Sequence, residues 1–506
     1  MSEALPGMPE APPPAPPRDA AVAVLVRQGQ SGAEVFWLRR EAGLSFAGGF
    51  HAFPGGRVDA SDADVAVEGA LGEEATLRAA AARELFEETG VLRARGPSLG
   101  QHPAALREAR SALLAGTRRF ADVLTALGVR LHAADFPEAG RWVTPSWMPL
   151  RFDARFFLVE VPLGTQAEVW PGELLEGAWV RPADALQAWA EGRALLHPPT
   201  HYSLQALLEA PSFEAARSRM LEAPSSEGPG AHPVEFQRGV KVLALRSRTL
   251  LPATHTNCWL LGNGELLVVD PGAEEPSEVD RLVTRLQELE AQGYKAKAIF
   301  LTHHHQDHTG GVVPLVARLG LPVWCHLRTA DRLEVRPSRV LAEGEVLTLQ
   351  GEPDMRLAVL HTPGHARGHL CLVDEASRAA VVGDMVAGVG TILIDPPEGD
   401  MAEYLRQLRR LRDWPVRALY PAHGPPLADG PTALDRYLAH REARQARVKA
   451  ALRAEPRSLE ELALEAYADT PTAWPPVAER STLAILQKLL AEAEVRRVGE
   501  GWAQPL

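Results

Sequence analysis

Ala20-Ala21-Val22-Ala23-Val24-Leu25-Val26 is an unbroken apolar run, the pattern of a strand buried on both faces, and Glu34-Val35-Phe36-Trp37-Leu38-Arg39 reads as its partner. Further on, Ala79 to Ala82 favours helix, and Gly90 is placed to cap its C-terminal end. Residues 211–235 break the pattern with Pro211, Pro224-Ser225-Ser226 and Gly228-Pro229-Gly230, which predicts a linker. Strand-like runs resume at Val240-Lys241-Val242-Leu243-Ala244-Leu245. Beyond about Tyr437 the pattern turns mainly helical, with helices expected over Ser458–Leu462 and Ala478–Leu490 before a short terminal hairpin.

Several of the later apolar runs end on the same kinds of residue. Ala298-Ile299-Phe300 leads into Leu301-Thr302-His303-His304-His305-Gln306-Asp307-His308-Thr309-Gly310-Gly311. Arg356 to Leu360 runs into His361-Thr362-Pro363-Gly364-His365, Ala379 to Val382 into Gly383-Asp384, and Val416 to Tyr420 into Pro421-Ala422-His423. Short buried strands that deliver side chains from one edge of a sheet build a rigid site. In an extended run His303 and His305 point to one side and can reach one ion, while Asp307 and His308 follow a step later beside it. A mixed imidazole and carboxylate set suits zinc, and a catalytic site keeps one position open for water. The constellation is His303, His305 and His365 for one ion, Asp307, His308 and His423 for a second, with Asp384 between them. His304, His361 and His369 are expected to support or flank it rather than to ligate.

A second constellation lies near the front. In Arg83-Glu84-Leu85-Phe86-Glu87-Glu88-Thr89-Gly90-Val91 the glutamates fall at i, i+3 and i+4, so they share a helix face. Three carboxylates so placed repel one another unless a cation sits among them, and a hard, oxygen-seeking Mg²⁺ or Mn²⁺ fits.

Composition narrows the setting. A chain of 506 residues is too long for one ordinary core and implies about three domains. Hydrophobic content of 46% and charged content of 23% describe a globular protein. No apolar run approaches the roughly 18 residues of a membrane span, so no membrane association is expected. Met1–Ala20, with Pro12-Pro13-Pro14 and Pro16-Pro17, has no apolar core of a signal peptide and reads as a disordered tail. Three widely spaced cysteines, Cys258, Cys325 and Cys371, point to a reducing compartment, and the cytoplasm is the expected location. A net charge of −12 argues against avid non-specific nucleic-acid binding. It leaves room for a local basic face over Arg436–Arg457, with Arg441, Arg444, Arg447, Lys449 and Arg453 on a helical pattern.

HHHQDH, TPGH, GD and PAHG, in this order and spacing, resemble the metallo-β-lactamase superfamily. The resemblance implies an αββα sandwich over 236–440 with two zinc ions, Asp384 bridging them and His365 completing the first. Arg83 to Val91 resembles the core of the Nudix box, which implies an α/β/α sandwich over 18–210, diphosphate hydrolysis, and Mg²⁺ or Mn²⁺ held by Glu84, Glu87 and Glu88 beside Arg83. The front of that box departs from the family pattern. Read without a gap, Gly69 fits but Ala75 stands where a glutamate belongs. Read from Phe53-Pro54-Gly55-Gly56-Arg57-Val58-Asp59 it fits, with an insertion before Arg83, and this interrupted reading is preferred. With Arg151 to Phe157 it resembles a Nudix branch some of whose members cleave coenzyme A.

The tail, 441–506, resembles the winged helix of the lactamase-β-like-2 branch, whose animal member is a single-strand endoribonuclease. The expected whole is an α/β multidomain protein: a Pro-rich tail (1–17), a Nudix domain, a linker (211–235), a metallo-β-lactamase domain and a winged helix. It is read as a bifunctional hydrolase, with Asp307, Asp384, Glu84, Glu87, Glu88 and Arg83 as catalytic residues. A nucleoside-diphosphate or coenzyme-A-type substrate is expected at the first site, and single-stranded RNA is favoured at the second. A thioesterase or lactonase at the zinc site, and a nucleotide- or RNA-binding module with one vestigial site, are the alternatives.

Overall fold

The computed structural model describes residues 12–44, 47–96, 103–225 and 233–505. The expected Pro-rich tail lies outside them up to residue 11, as does the Gly228-Pro229-Gly230 portion of the expected linker. The described chain divides into two compact units between Arg238 and Gly239.

The N-terminal unit is built on the run the sequence marked first. Strand Arg18–Gly29 is central in a seven-stranded sheet, parallel to Phe152–Glu160 and antiparallel to Gly32–Arg40. Its alternate residues enter two different cores. Ala21, Ala23 and Leu25 pack under helix Glu73–Thr89, against Ala79, Ala82 and Phe86. Val24 and Val26 face the other side, with Trp189 and Leu204 of helices Pro182–Ala190 and Pro198–Glu209. Period-two alternation with both faces apolar thus gives a helix–sheet–helix sandwich. Helix Glu73–Thr89 ends where Gly90 turns left-handed at φ 73° and its N–H bonds to the Phe86 carbonyl.

The expected linker is corrected at its start. Phe213–Leu221 is a helix whose Ala216 and Met220 are buried in the core of this unit. The signals at Pro211 and Pro224 bracket that helix instead of opening a continuous loop.

The C-terminal unit has two sheets, each with helices outside. One runs in the order Val240–Arg246, His255–Leu261, Glu265–Val269, Lys295–Phe300, Val323–His326, Arg339–Leu341, and buries its outer face under helices Pro276–Ala291 and Val312–Leu319. The other runs Val346–Leu349, Met355–His361, Leu370–Asp374, Ala379–Gly383, Ala418–Pro421, with helix Met401–Asp413 outside. A single helix, Gly430–Ala451, crosses the expected boundary at 440–441. It leads into helices Leu459–Ala466 and Pro475–Ala491 and the hairpin Arg496–Val498/Gly501–Ala503. Leu462, Ile485 and Trp502 of this tail share one hydrophobic core with Leu405 and Leu408. No described helix is long and apolar enough to cross a membrane.

Candidate metal centre

Strand Lys295–Phe300 stops, and the chain turns through His303 and His305 into the short helix Gln306–Thr309. Strands Met355–His361, Ala379–Gly383 and Ala418–Pro421 end beside it and bring in His365, Asp384 and His423. The ring nitrogens of the first triad converge: His303 Nε2 lies 2.9 Å from His305 Nδ1 and 3.2 Å from His365 Nε2, and His365 Nε2 lies 2.9 Å from His305 Nδ1. Three nitrogens on a tetrahedral ion at the usual Zn–N length stand about 3.3 Å apart, so the spacing fits. Asp307, His308 and His423 form a second group within 4.8 Å. Asp384 faces both. Its Oδ2 is 3.5 Å from His365 Nε2, while its Oδ1 is 3.5 Å from His423 Nε2 and 3.6 Å from His308 Nε2.

The rings are held from behind. His365 Nδ1 meets the Leu393 carbonyl at 2.8 Å, and His423 Nδ1 meets that of His255 at 3.0 Å. His308 Nδ1 meets the Asp270 carboxylate at 2.9 Å, and His303 Nδ1 the Thr302 hydroxyl at 3.0 Å. Such partners fix each ring's tautomer and aim the other nitrogen inward. Two of the inward atoms, His308 Nε2 and Asp384 Oδ1, are buried with no hydrogen-bond partner. An orphaned buried nitrogen and carboxylate oxygen are costly unless a cation takes them. The donor set therefore fits a pair of zinc-class ions.

Electrostatics divide the two groups. Burial holds His303 and His305 well below the usual imidazole range, the neutral form that a metal requires. At His308 burial is outweighed by Asp384, Asp307 and Asp270, which raise it. Asp384 is also buried, yet His423 and His308 hold it well below the carboxylate range.

Sequence reasoning overlooked Asp270. It follows strand Glu265–Val269, takes a left-handed φ of 49°, and accepts from the Thr302 N–H and hydroxyl as well as bonding His308. Its signal was the one used elsewhere, an apolar run ending on a carboxylate. Among the flanking histidines, His369 Nε2 accepts the Asp384 N–H at 3.1 Å and His361 bonds the Arg367 carbonyl, while His304 lines the cleft over the centre. That cleft is about 420 Å³ in volume.

The glutamates of the N-terminal unit share the face of helix Glu73–Thr89, but no three of their oxygens gather within 4.8 Å. Arg83 stands among them, donating to Glu84 at 2.8 Å and to Glu87 at 3.3 Å. Asp62 grips the same guanidinium through two bonds of 2.8 and 2.9 Å, and the Arg57 carbonyl accepts a third at 3.0 Å. Asp62 lies in the inserted segment and was not foreseen. Gly55 donates to Glu88 at 2.9 Å, and a Cβ on Gly56 would stand 2.5 Å from the Glu84 carboxylate, so this glycine pair is set directly on the glutamate face. Gly69 of the ungapped alternative sits instead beside Ala133. Burial lifts Glu88 to about 8, and lifts Glu87 to about 7 against the pull of Arg83. Glu84 and Glu88 line a cleft of about 530 Å³ with Arg57, Glu173, Trp142 and Trp147. Glu87 does not line it.

The expected basic face on Gly430–Ala451 is corrected. Arg441 is 5% exposed, donates to the Ile392 carbonyl and lies over the Tyr404 ring. Arg444 is 8% exposed, bonds Asp469 at 2.8 Å and covers Tyr467. Arg447 pairs with Asp469, Lys449 with Glu494 and Arg453 with Glu465. Helical spacing alone does not separate a phosphate-binding stripe from a packing stripe, and here the acids that settle it are 12 to 45 residues away.

Comparison with known proteins agrees with this geometry. The metallo-β-lactamase superfamily profile matches residues 251–423, the NUDT19 Nudix domain profile residues 64–207, and the β-lactamase-associated winged helix domain profile residues 458–502. An atrochrysone carboxyl ACP thioesterase from Aspergillus chevalieri is 32% identical over 201 residues, 39% of this chain and 60% of that protein. The chain thus spans less than two thirds of that relative's length. A β-lactamase-like protein 2 homolog from Caenorhabditis elegans is 27% identical over 246 residues, 47% of this chain and 80% of that protein. The crystal structure of a Nudix hydrolase from Alicyclobacillus acidocaldarius is 30% identical, covers 40% of this chain and 96% of its own, and superposes with a TM-score of 0.36. The chain carries a Nudix domain, a metallo-β-lactamase domain and a winged helix, and the first two are domains of hydrolase superfamilies.

Proposed function

We propose that the chain is a two-site hydrolase that cuts a thioester on a phosphorylated carrier arm at one site and a diphosphate at the other. The observation that carries the first site is Asp384, whose two oxygens face two separate nitrogen sets. His303, His305 and His365 would hold one zinc ion, Asp307, His308 and His423 the other, and Asp384 would bridge them. Zinc so held brings the pKa of water down to roughly 7 and polarises a carbonyl. The chain's part is positional. Asp384 and Asp307 fix the centre's geometry, and the carbonyls of Leu393 and His255 keep His365 and His423 in register.

At the second site Glu84, Glu87 and Glu88 would take Mg²⁺ or Mn²⁺ beside Arg83, with a nucleoside-diphosphate or coenzyme-A-type substrate in the adjoining cleft. We assign the first domain to 18–221, so that it includes helix Phe213–Leu221, and the second to 236–451, ending with the helix Gly430–Ala451 that leads into the winged helix of 452–506; the setting is the cytoplasm, where three free cysteines stay reduced.

The relative named as an ACP thioesterase supports the thioester reading. Cleavage of single-stranded RNA is the second reading, favoured by the winged helix. The burial of Arg441 and Arg444 speaks against it, because side chains packed inside the tail against backbone carbonyls cannot reach a phosphate. Zinc-loaded protein offered an acyl-pantetheine thioester and a single-stranded RNA separates the two: thioester turnover with intact RNA is expected, and RNA cleavage without thioester turnover reverses the choice.

A further inference from the structure

The cleft above Asp384 is walled by parts of the chain far apart in sequence. Arg248, Arg332, Arg367 and Arg480 all line it, against the carboxylates of Asp395 and Glu398 on the same wall. Arg332 is 3.6 Å from Glu398, and Arg367 donates its side chain to the Pro397 carbonyl and its N–H to Glu398. Arg248 is exposed, with no hydrogen bond or ion pair among the described residues. It adjoins Thr249, whose hydroxyl is 3.4 Å from His423 Nε2, so it stands next to the metal centre.

Arg480 comes from the tail. It sits on helix Pro475–Ala491, reaches the cleft, and donates to Asp395 from a part-buried position. An ion pair open to solvent contributes little to stability, so it is a poor reason by itself to place a guanidinium in an active-site cleft. Guanidinium is a donor-only fork that matches phosphate oxygens, and four of them line this cleft.

We propose that Arg480 and Arg248 bind the phosphate of the substrate's carrier arm, making the winged-helix tail a specificity element of the metal cleft. The inference rests on the thioester reading for the arm's identity. On binding, the phosphate replaces Asp395 as the partner of Arg480, while Arg248 closes on it from beside Thr249. The tail's task is then recognition of a small phosphorylated arm through one side chain of its second long helix.

The test compares 4′-phosphopantetheine with pantetheine by calorimetry on the zinc-loaded full chain. Wild type should bind the phosphorylated arm roughly ten-fold or more tightly. Arg480→Gln and Arg248→Gln should each bring the ratio close to one, and Asp395→Asn, which frees Arg480, should keep or raise it. A ratio near one in wild type overturns the proposal. So does a ratio unchanged in both arginine variants, the result expected if the metal ions alone hold the phosphate or if Arg480 only docks the tail. Thermal melts of Arg480→Gln and Asp395→Asn identify a folding defect, in which case Arg248→Gln decides. Binding needs no turnover. A chain that shows the ratio yet leaves thioesters intact refutes the reaction and keeps the phosphate site, and turnover without the ratio does the reverse.

Discussion

At the centre around Asp384 each histidine whose Nε2 points inward is held at its other nitrogen, by a carbonyl, a hydroxyl or the Asp270 carboxylate. On the glutamate face of the N-terminal unit a single guanidinium, Arg83, occupies the space between Glu84 and Glu87 and is itself gripped by Asp62. The difference follows from the chemistry of the ligands. Imidazole is directional and must present a neutral nitrogen, so its geometry has to be built in advance. Carboxylates are less directional, and burial keeps Glu87 and Glu88 close to protonated at neutral pH, at about 7 and 8. The rings of the first site are thus held in place in advance, while a cation at the second would have to displace protons from the carboxyls.

The largest effect should come from removing the group both halves of the zinc centre share. Asp384→Ala should lower bound zinc and abolish hydrolysis at that site, because among the described residues Asp384 is the carboxylate that faces both nitrogen sets. Elemental analysis and thioester turnover check it, with diphosphate cleavage as the internal control. Full turnover in a zinc-free variant would remove the metal assignment altogether.

Glu88→Gln strikes the other side of the comparison. It keeps shape, and at a carboxyl raised to about 8 by burial the neutral amide costs the fold little. Mg²⁺-dependent diphosphate cleavage should fall by orders of magnitude, as with Glu87→Gln, while zinc-site turnover stays at the wild-type rate. If neither substitution matters, the glutamates serve only the packing of this helix face.

Asp270→Asn sharpens the claim that the zinc rings are held from behind. Asparagine tolerates the left-handed backbone at this position but loses the charge on His308. Loss of such an outer partner weakens metal binding by about 10–100-fold. Chelator competition should show that drop with the Mg²⁺ response of the glutamate face unchanged. Equal affinity in the variant would mean that His308 needs no anchor.

Asp270 also marks where the sequence could be read and where it could not. Ligand-type residues at the ends of apolar runs were legible because the run and the residue are neighbours, and Asp270 carries that same signal. Asp62 was not legible: it grips Arg83 across 21 residues, through an insertion with no pattern of its own. The arginines of Gly430–Ala451 misled for a related reason. Periodicity shows that they share a face, but Asp469, Glu465 and Glu494, which neutralise that face, are placed by tertiary folding. Individual strands and helices were legible, since alternation and helical runs are local, while the layers of both units came from the resemblance to the two families. The helix Phe213–Leu221 was not, because its flanking prolines and glycines outweighed two buried residues.

The smallest expected effect separates burial from catalysis in the N-terminal unit. His51 and His197 are both lowered to about 4, chiefly by burial and then by the nearby Arg39 and Arg40 respectively. The unfolded chain takes up these protons near 6.5 and the folded unit only near 4. Between those values the unfolded state binds more protons, so stability from each histidine is complete above 6.5 and is lost as pH falls toward 4. At pH 5 the loss is about 2 kcal/mol per residue. Glu87 and Glu88 act in the opposite sense, since carboxyls raised to about 7 and 8 take up protons in the folded state first. A simple pH scan of wild type therefore mixes the two, and the variant isolates the histidine. His51→Gln stays polar beneath Trp37, whose ring lies 4.3 Å from that of His51, but carries no titrating nitrogen. Hydrogen exchange of the Gly32–Arg40 amides, compared between pH 6.5 and 5, should show a smaller acid loss in the variant by about 1.5 kcal/mol. An equal loss in both proteins would mean that His51 titrates in the folded unit as it does in water, and that its burial does not govern its charge.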